Sequence, residues 1–536
     1  MTTLAAPQPD RPQDSARITP AGLLRRRAEQ SPDALALLDP PNRRILAPSA
    51  PRRLSFGEAD IAVEALAAYF AHVGLEPGDC VAVQLPNLVE SPLTLLAAWR
   101  AGLTVAAVPM LWRATELAKV CDLLEPAALI GMSSCAGERP ANLLRDVAAT
   151  RLSIRFVMGF GTDLPDGVAS LDDAILDGPA PGFVPRANPG LALITFTARA
   201  GEPVVPLVRE EKDLLLQGAM TVMALPLDRH DVILNPYPLT GPIGITLGLA
   251  PWLIGGTALA LHDPFDHAVF VQQILTTGAT VTALPGTVLD RLLEEGVVTD
   301  PQCALRHVGR VWAAPNLGDR LAAEAPADRG GFDLYPLGDL ACVIERDGRR
   351  QERGTLPAGV FQITDHGETT AFLETALVAG PEPDTKDIAV RGPLIPKLRA
   401  FADTAHDSGA RDARSYVTTG LRGEMRNGRL AVLRDPELVY HGGFTIAASE
   451  LDGLYQAFPR FLDAACFVVA DPVMGDRIFA AVVPDPSMPV SLAALRDFLN
   501  ERSVASYKWP DKLLIVRTIP RDAEGRILRD QILKQI

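Results

Sequence analysis

What most limits this chain is alternation: short β-forming apolar runs recur between stretches with helical spacing. CVAVQL (Cys80–Leu85), LTVAAVP (Leu103–Pro109), AALIGM (Ala127–Met132) and IRFVMGF (Ile154–Phe160) read as strands. Between them, Ser55–Val73 carries Ile61, Leu66, Ala67, Phe70 and Val73 at helix spacing, and Ser91–Ala101 reads as a second helix. Strand, helix and strand at these lengths predict layered α/β structure with largely parallel sheets. A second alternation follows at Asp231–Leu234, Thr257–Leu261, Thr280–Leu284 and His307–Ala313. One large N-terminal region with two α/β sheets is therefore expected.

At 536 residues the chain is too long for a single core. From about Leu433 the texture shortens. A helix at Ser449–Ala457 precedes the strand ACFVVAD, a GDR turn and the strand IFAAVVPD. A helix at Leu492–Arg502, the strand LLIVRTIP and a final helix follow. That is enough for a small separate α+β domain. The expected division is a disordered tail over 1–17, a large domain over 18–433 and a small C-terminal domain over 434–536. Leu373–Ser415, rich in Pro, Gly, Asp and Ala, is expected to be loop.

Several function classes drop out. A net charge of −14 supplies no basic face for nucleic acid and no electrostatic membrane anchor. The six cysteines are scattered without a C-x-x-C pair, and neither H-E-x-x-H nor G-x-S-x-G occurs. Reduced buried thiols are expected, and metalloenzyme or hydrolase chemistry has no motif. Gly241–Leu261 carries no charged residue, but its glycines and Pro251 break it into a buried helix, a turn and a strand, not a membrane span. The polar, Pro-rich first residues do not read as a signal peptide, so a cytoplasmic chain is expected.

Two long stretches carry a resemblance. LSFGEAD…LEPGDCVAVQLPNLVESPLTLLAAWRAGLTVAAVPMLWRATEL, and ELVYHGGFTIAASELD…DPVMGDRIFAAVVP…YKWPDKLLIVRTIPRDAEGRILRDQIL, are very like the adenylate-forming superfamily of acyl- and aryl-CoA synthetases. The resemblance spans about residues 20–534. It implies a large two-sheet α/β domain, a small α+β domain and a cleft between them. It also implies ATP, Mg2+ and coenzyme A as cofactors, with a carboxylic acid joined first to AMP and then to a thiol.

The same resemblance assigns roles position by position. The family phosphate loop, T-S-G-T-T-G-x-P-K-G, falls on Phe196–Val205, where Thr197, Gly201 and Pro203 are kept. Ala198, Arg199 and Val204 stand where a glycine, a threonine and the lysine are expected. The adenine-stacking tyrosine and magnesium carboxylate fall on Tyr335 and Asp339, with Pro336 between them. The ribose motif T-G-D falls on Thr419-Gly420-Leu421, and leucine cannot accept the ribose hydroxyls. Arg434 is retained at the junction, where the hinge position is Pro436, a residue with φ held near −65°. Gly442 and Gly443 match the glycine pair beside the pantetheine tunnel. Arg526 stands at the catalytic lysine, keeping charge but changing reach. The acyl pocket falls on Tyr237–Ile245 and Trp312–Leu317, which is mostly apolar and suits a hydrophobic acid.

Two readings follow. One is a non-adenylating relative that binds a hydrophobic carboxylic acid or acyl-CoA, or partners an active ligase or carrier protein. The other is an active acid–CoA ligase in which Arg199 and Arg526 replace the lost lysines.

Overall fold

The computed structural model describes residues 18–186, 192–199, 202–312, 329–346, 354–365, 367–380, 385–398, 415–471 and 474–534. The expected alternation is realised as two eight-stranded sheets. In the first, Leu193–Arg199, Thr104–Ala107, Cys80–Val83, Ala128–Met132 and Phe156–Phe160 lie side by side in parallel. In the second, Ala258–Leu261, Val232–Asn235, Val281–Pro285, His307–Val311 and Gly330–Leu337 do the same.

Helices fill the space around these sheets, with ends legible in the chain. Phe56–His72 starts on a capping box, with Ser55 accepting from the Glu58 amide and Glu58 accepting from the Ser55 amide. Its positions Leu66, Ala67 and Phe70 are buried, whereas Ile61 is exposed. Glu90–Arg100 is buried along its whole length. Its two charged ends are held by partners. Glu90 meets Arg43 and Arg52, and Arg100 meets Asp60 and Glu64. The uncharged stretch from Gly241 forms helical turns over Pro242–Gly255, including a π-helical turn at Ile245–Leu249, and then the strand Ala258–Leu261. Among the described residues no helix is long and apolar enough to cross a membrane.

One expectation fails. Among the described residues of Leu373–Ser415, much is sheet, not loop. Glu368–Ala379 and Lys386–Arg391 belong to a six-stranded antiparallel sheet with Gly359–Asp365, Val417–Arg426, Arg429–Leu433 and Thr355–Pro357. Composition averaged over the segment hides the strands themselves.

The last five strands form their own sheet, from Leu438–His441 to Lys512–Ile515. Strand periodicity divides the long strand Phe461–Asp471 between two cores. Ala464 and Cys466 face one with Ile446, Tyr455 and Leu499. Ala465 and Phe467 face the other with Val516, Ile519 and Ile532. The molecule is thus a two-domain α/β protein.

Candidate active site

The site begins with a β-hairpin, Leu193–Arg199 paired with Glu202–Arg209, in the register Leu193↔Arg209, Thr195↔Leu207 and Thr197↔Val205. Opposed residues in an antiparallel pair share a face, and successive residues alternate faces. Leu193 and Leu207 therefore face the main core, and Thr195, Thr197 and Arg209 follow them. Ile194, Phe196 and Val208 face a separate cluster with Trp112. A single strand thus serves two sides of the cleft.

On the first side, the tight turn between Gly330–Leu337 and Ala341–Arg346 brings Asp339 to the hairpin. The turn needs Gly338, whose φ is +58° and where a Cβ would lie 2.4 Å from the Thr419 carbonyl oxygen. Thr197 donates its hydroxyl to the Asp339 carboxylate. The buried Arg209 donates to Thr195 Oγ1 at 2.6 Å and to the backbone carbonyls of Asp339 and Leu340 at 2.6 and 3.1 Å. Burial pushes the Arg209 guanidinium down to about 10, against the pull of Asp339 and Asp213. Burial likewise raises the Asp339 carboxyl, while Thr197 and Arg209 oppose the rise.

Tyr335 and Thr419–Leu421 border this cluster. Tyr335 is only 3 % exposed, lies parallel to Trp312 with ring centroids 6.4 Å apart and bonds Arg429. A ring enclosed in this way offers no open face to a base. Thr419 Oγ1 donates to the Ile388 carbonyl and accepts from the Leu421 amide. Gly420, at φ +78°, turns the chain, and Leu421 packs half-buried against the main core. The Tyr335 ring is covered, and Leu421 carries an alkyl side chain where the resemblance implies the ribose-binding carboxylate. Gly201 and the segment 313–317 lie outside the described residues.

On the other side of the hairpin, Phe196 packs at 5.3 Å on Trp112, whose indole N–H donates to Tyr507 Oη at 3.0 Å. Tyr507 in turn stacks on Phe444 at 4.1 Å. The strand Phe444–Ala447 lies against both hairpin strands. Next to this aromatic seam, Lys508 Nζ bonds Glu116 of the large domain at 2.7 Å and Glu450 of the small domain at 3.0 Å. Burial alone would push its ammonium down, but Tyr507, Glu116 and Glu450 outweigh burial and raise it.

Gly442 and Gly443 form the two-residue turn between Leu438–His441 and Phe444–Ala447, with φ of +58° and +86°. Positive φ at both central positions is the hairpin geometry that selects glycine. The pair thus aims Phe444 at the cleft. Gly443→Ala should cost about 1–2 kcal/mol through the left-handed backbone alone, read as a lower denaturation midpoint. No loss would remove the turn from this account.

Pro436 follows Asp435 at the second position of a turn closed by the Leu438 amide on the Asp435 carbonyl, a position that suits proline. Each flank is tied. Asp435 pairs with Arg422 at 3.1 Å, and Arg434 with the buried Asp476 at 2.7 Å. Arg526 is not brought to the cluster. It is mostly exposed and pairs with Asp522 and Glu524 of its own loop. The adjacent Ile527 packs on the sheet face opposite the one carrying Phe444 and Tyr507. Sequence reasoning named Thr197, Asp339 and Tyr335 but missed Arg209, Trp112, Tyr507 and Lys508. The YKWP run was part of the resemblance, but its partner Glu116 lies 392 residues away.

Comparison with known proteins agrees with this architecture. Residues 24–197 match the AMP-binding enzyme family model. The chain is 27% identical to the salicyl-AMP ligase / salicyl-S-ArCP synthetase of Mycobacterium tuberculosis, over 95% of this chain and 89% of that protein. It is 26% identical to the 2-hydroxy-7-methoxy-5-methyl-1-naphthoate–CoA ligase of Streptomyces carzinostaticus, over 93% and 90%. Its fold is similar to that of the amide bond synthetase McbA from Marinactinospora thermotolerans, with TM-score 0.75 and 18% identity over 96% of this chain and 99% of that one.

Proposed function

We propose that this chain, a member of the adenylate-forming superfamily, binds an aromatic acid or its thioester without building an acyl-adenylate from ATP. Leu421 carries the reading. Packed against the core, it leaves two ribose hydroxyls without an acceptor, a loss on the order of a few kcal/mol. The covered Tyr335 supports the same conclusion. The aromatic class rests on the salicyl and naphthoate relatives and on the apolar Tyr237–Ile245 segment. Docking of Phe444–Ala447 on the hairpin, with Arg526 paired within its own exposed loop, suits a site that handles a thioester and not a phosphate ester. We place the domain division between Leu433 and Arg434.

The chain's own residues supply three effects in this reading. Trp112, Phe196, Tyr507 and Phe444 form an apolar wall that keeps water out. The Gly442-Gly443 turn fixes where that wall begins. Arg209 holds the turn bearing Asp339 through backbone carbonyls.

Titration calorimetry tests the reading on one purified sample. ATP with Mg2+ should bind no tighter than roughly millimolar, near −4 kcal/mol, whereas salicyl-CoA or a related aryl-CoA should bind at least tenfold more tightly. Micromolar ATP binding would restore the second reading, an active acid–CoA ligase, which the named activities of the relatives favour.

A further inference from the structure

We propose that Arg209 has taken the place of a divalent cation at Asp339, so that this cleft neutralises its own carboxylate and works without metal. The idea is independent of which acyl group is held and of whether nucleotide binds. It starts from strand geometry: Thr195, Thr197 and Arg209 share the hairpin face turned toward the main core, and the Asp339 turn closes over that face.

A hard cation at a carboxylate needs open oxygen donors. Here they are taken. Thr197 already donates to the carboxylate, and Arg209 lies close enough to act on its charge. The guanidinium spends its donors on Thr195 Oγ1 and on the carbonyls of Asp339 and Leu340, so those oxygens are also taken. No group of three or more His, Cys, Asp or Glu side chains able to hold a metal occurs among the described residues. A guanidinium is planar and permanently charged, so it can be buried against carbonyls where an ammonium would shed its proton. It delivers one positive charge at a fixed position, without exchange and without a hydration shell.

The test uses the full chain and Mn2+ followed by electron paramagnetic resonance, with and without inorganic pyrophosphate. The wild type should leave the Mn2+ spectrum unchanged in both conditions. Arg209→Gln, or Arg209→Met where glutamine fails to fold, should convert it to a protein-bound spectrum in the presence of pyrophosphate, at least a tenfold gain in affinity. Adding Asp339→Asn to either variant should remove that gain. Bound Mn2+ in the wild type that disappears in Asp339→Asn would overturn the proposal. So would folded Arg209→Gln and Arg209→Met proteins that both leave the spectrum unchanged. The nucleotide reading fails by a different observable, ATP calorimetry, so the two failures are distinguishable.

Discussion

Arg43→Met should destabilise the large domain by about 3–5 kcal/mol, the usual consequence of removing one partner from a buried ion network. Arg43 is 2 % exposed and bonds Asp39 at 2.8 Å and both oxygens of Glu90. Asp39 also accepts from the amides of Val89 and Arg52. Burial and the neighbouring Glu90 raise the Asp39 carboxyl, against Arg43 and those amides. Glu90 differs: burial pushes it up, but Arg43 and Arg52 outweigh burial and hold it below its usual range. Methionine would leave two buried carboxylates facing each other with only Arg52 to answer them. Methionine fills the stem's volume, so the loss reports charge and not a cavity. A large fall in the chemical denaturation midpoint is expected, and a change under about 1 kcal/mol would show that Arg52 takes over.

Lys508→Met should release the small domain from the large one. Glu116 is 1 % exposed and Glu450 is partly buried, and Lys508 is the cation that bonds both. Without it the docked arrangement leaves the buried Glu116 with the Arg113 amide and Glu450 with Lys119 at 3.7 Å, a penalty again of about 3–5 kcal/mol, or a factor of about a hundred or more in the docking equilibrium. Spin labels on the two domains should give one narrow distance in the wild type, with or without an acyl-CoA, and a broad distribution in Lys508→Met. Pro436→Lys should leave the narrow distance in place. Proline stiffens the turn, but Trp112, Tyr507 and Lys508 hold the interface. A ligand-driven shift of roughly ten ångströms in the wild type would show that neither device locks the junction.

These two sites also mark what could be read from the chain. Glu116 opens the helix Ala114–Leu124 and accepts from the Arg113 amide, a local role the sequence reading did not single out. Its second duty, toward Lys508, was not legible, because nothing local to either residue specifies the other. The antiparallel sheet over residues 355–433 was missed for a related reason. Its strands are stabilised by cross-strand pairing that only the folded register defines.

The sequence by itself determined the two α/β sheets and the small C-terminal unit, because periodicity is short-range and repeats at every element. It also put Leu421 and Arg526 where the resemblance implies the ribose-binding carboxylate and the catalytic lysine. The tertiary structure alone decided what those residues face. It put Thr195 and Thr197 with Arg209, turned Phe196 to the opposite side, and left Arg526 paired within its own exposed loop. The physical reason is desolvation. A buried guanidinium, carboxylate or ammonium must find its partner wherever the packed chain delivers one, and residues such as Lys508 and Glu116 meet only after two domains have excluded the water between them.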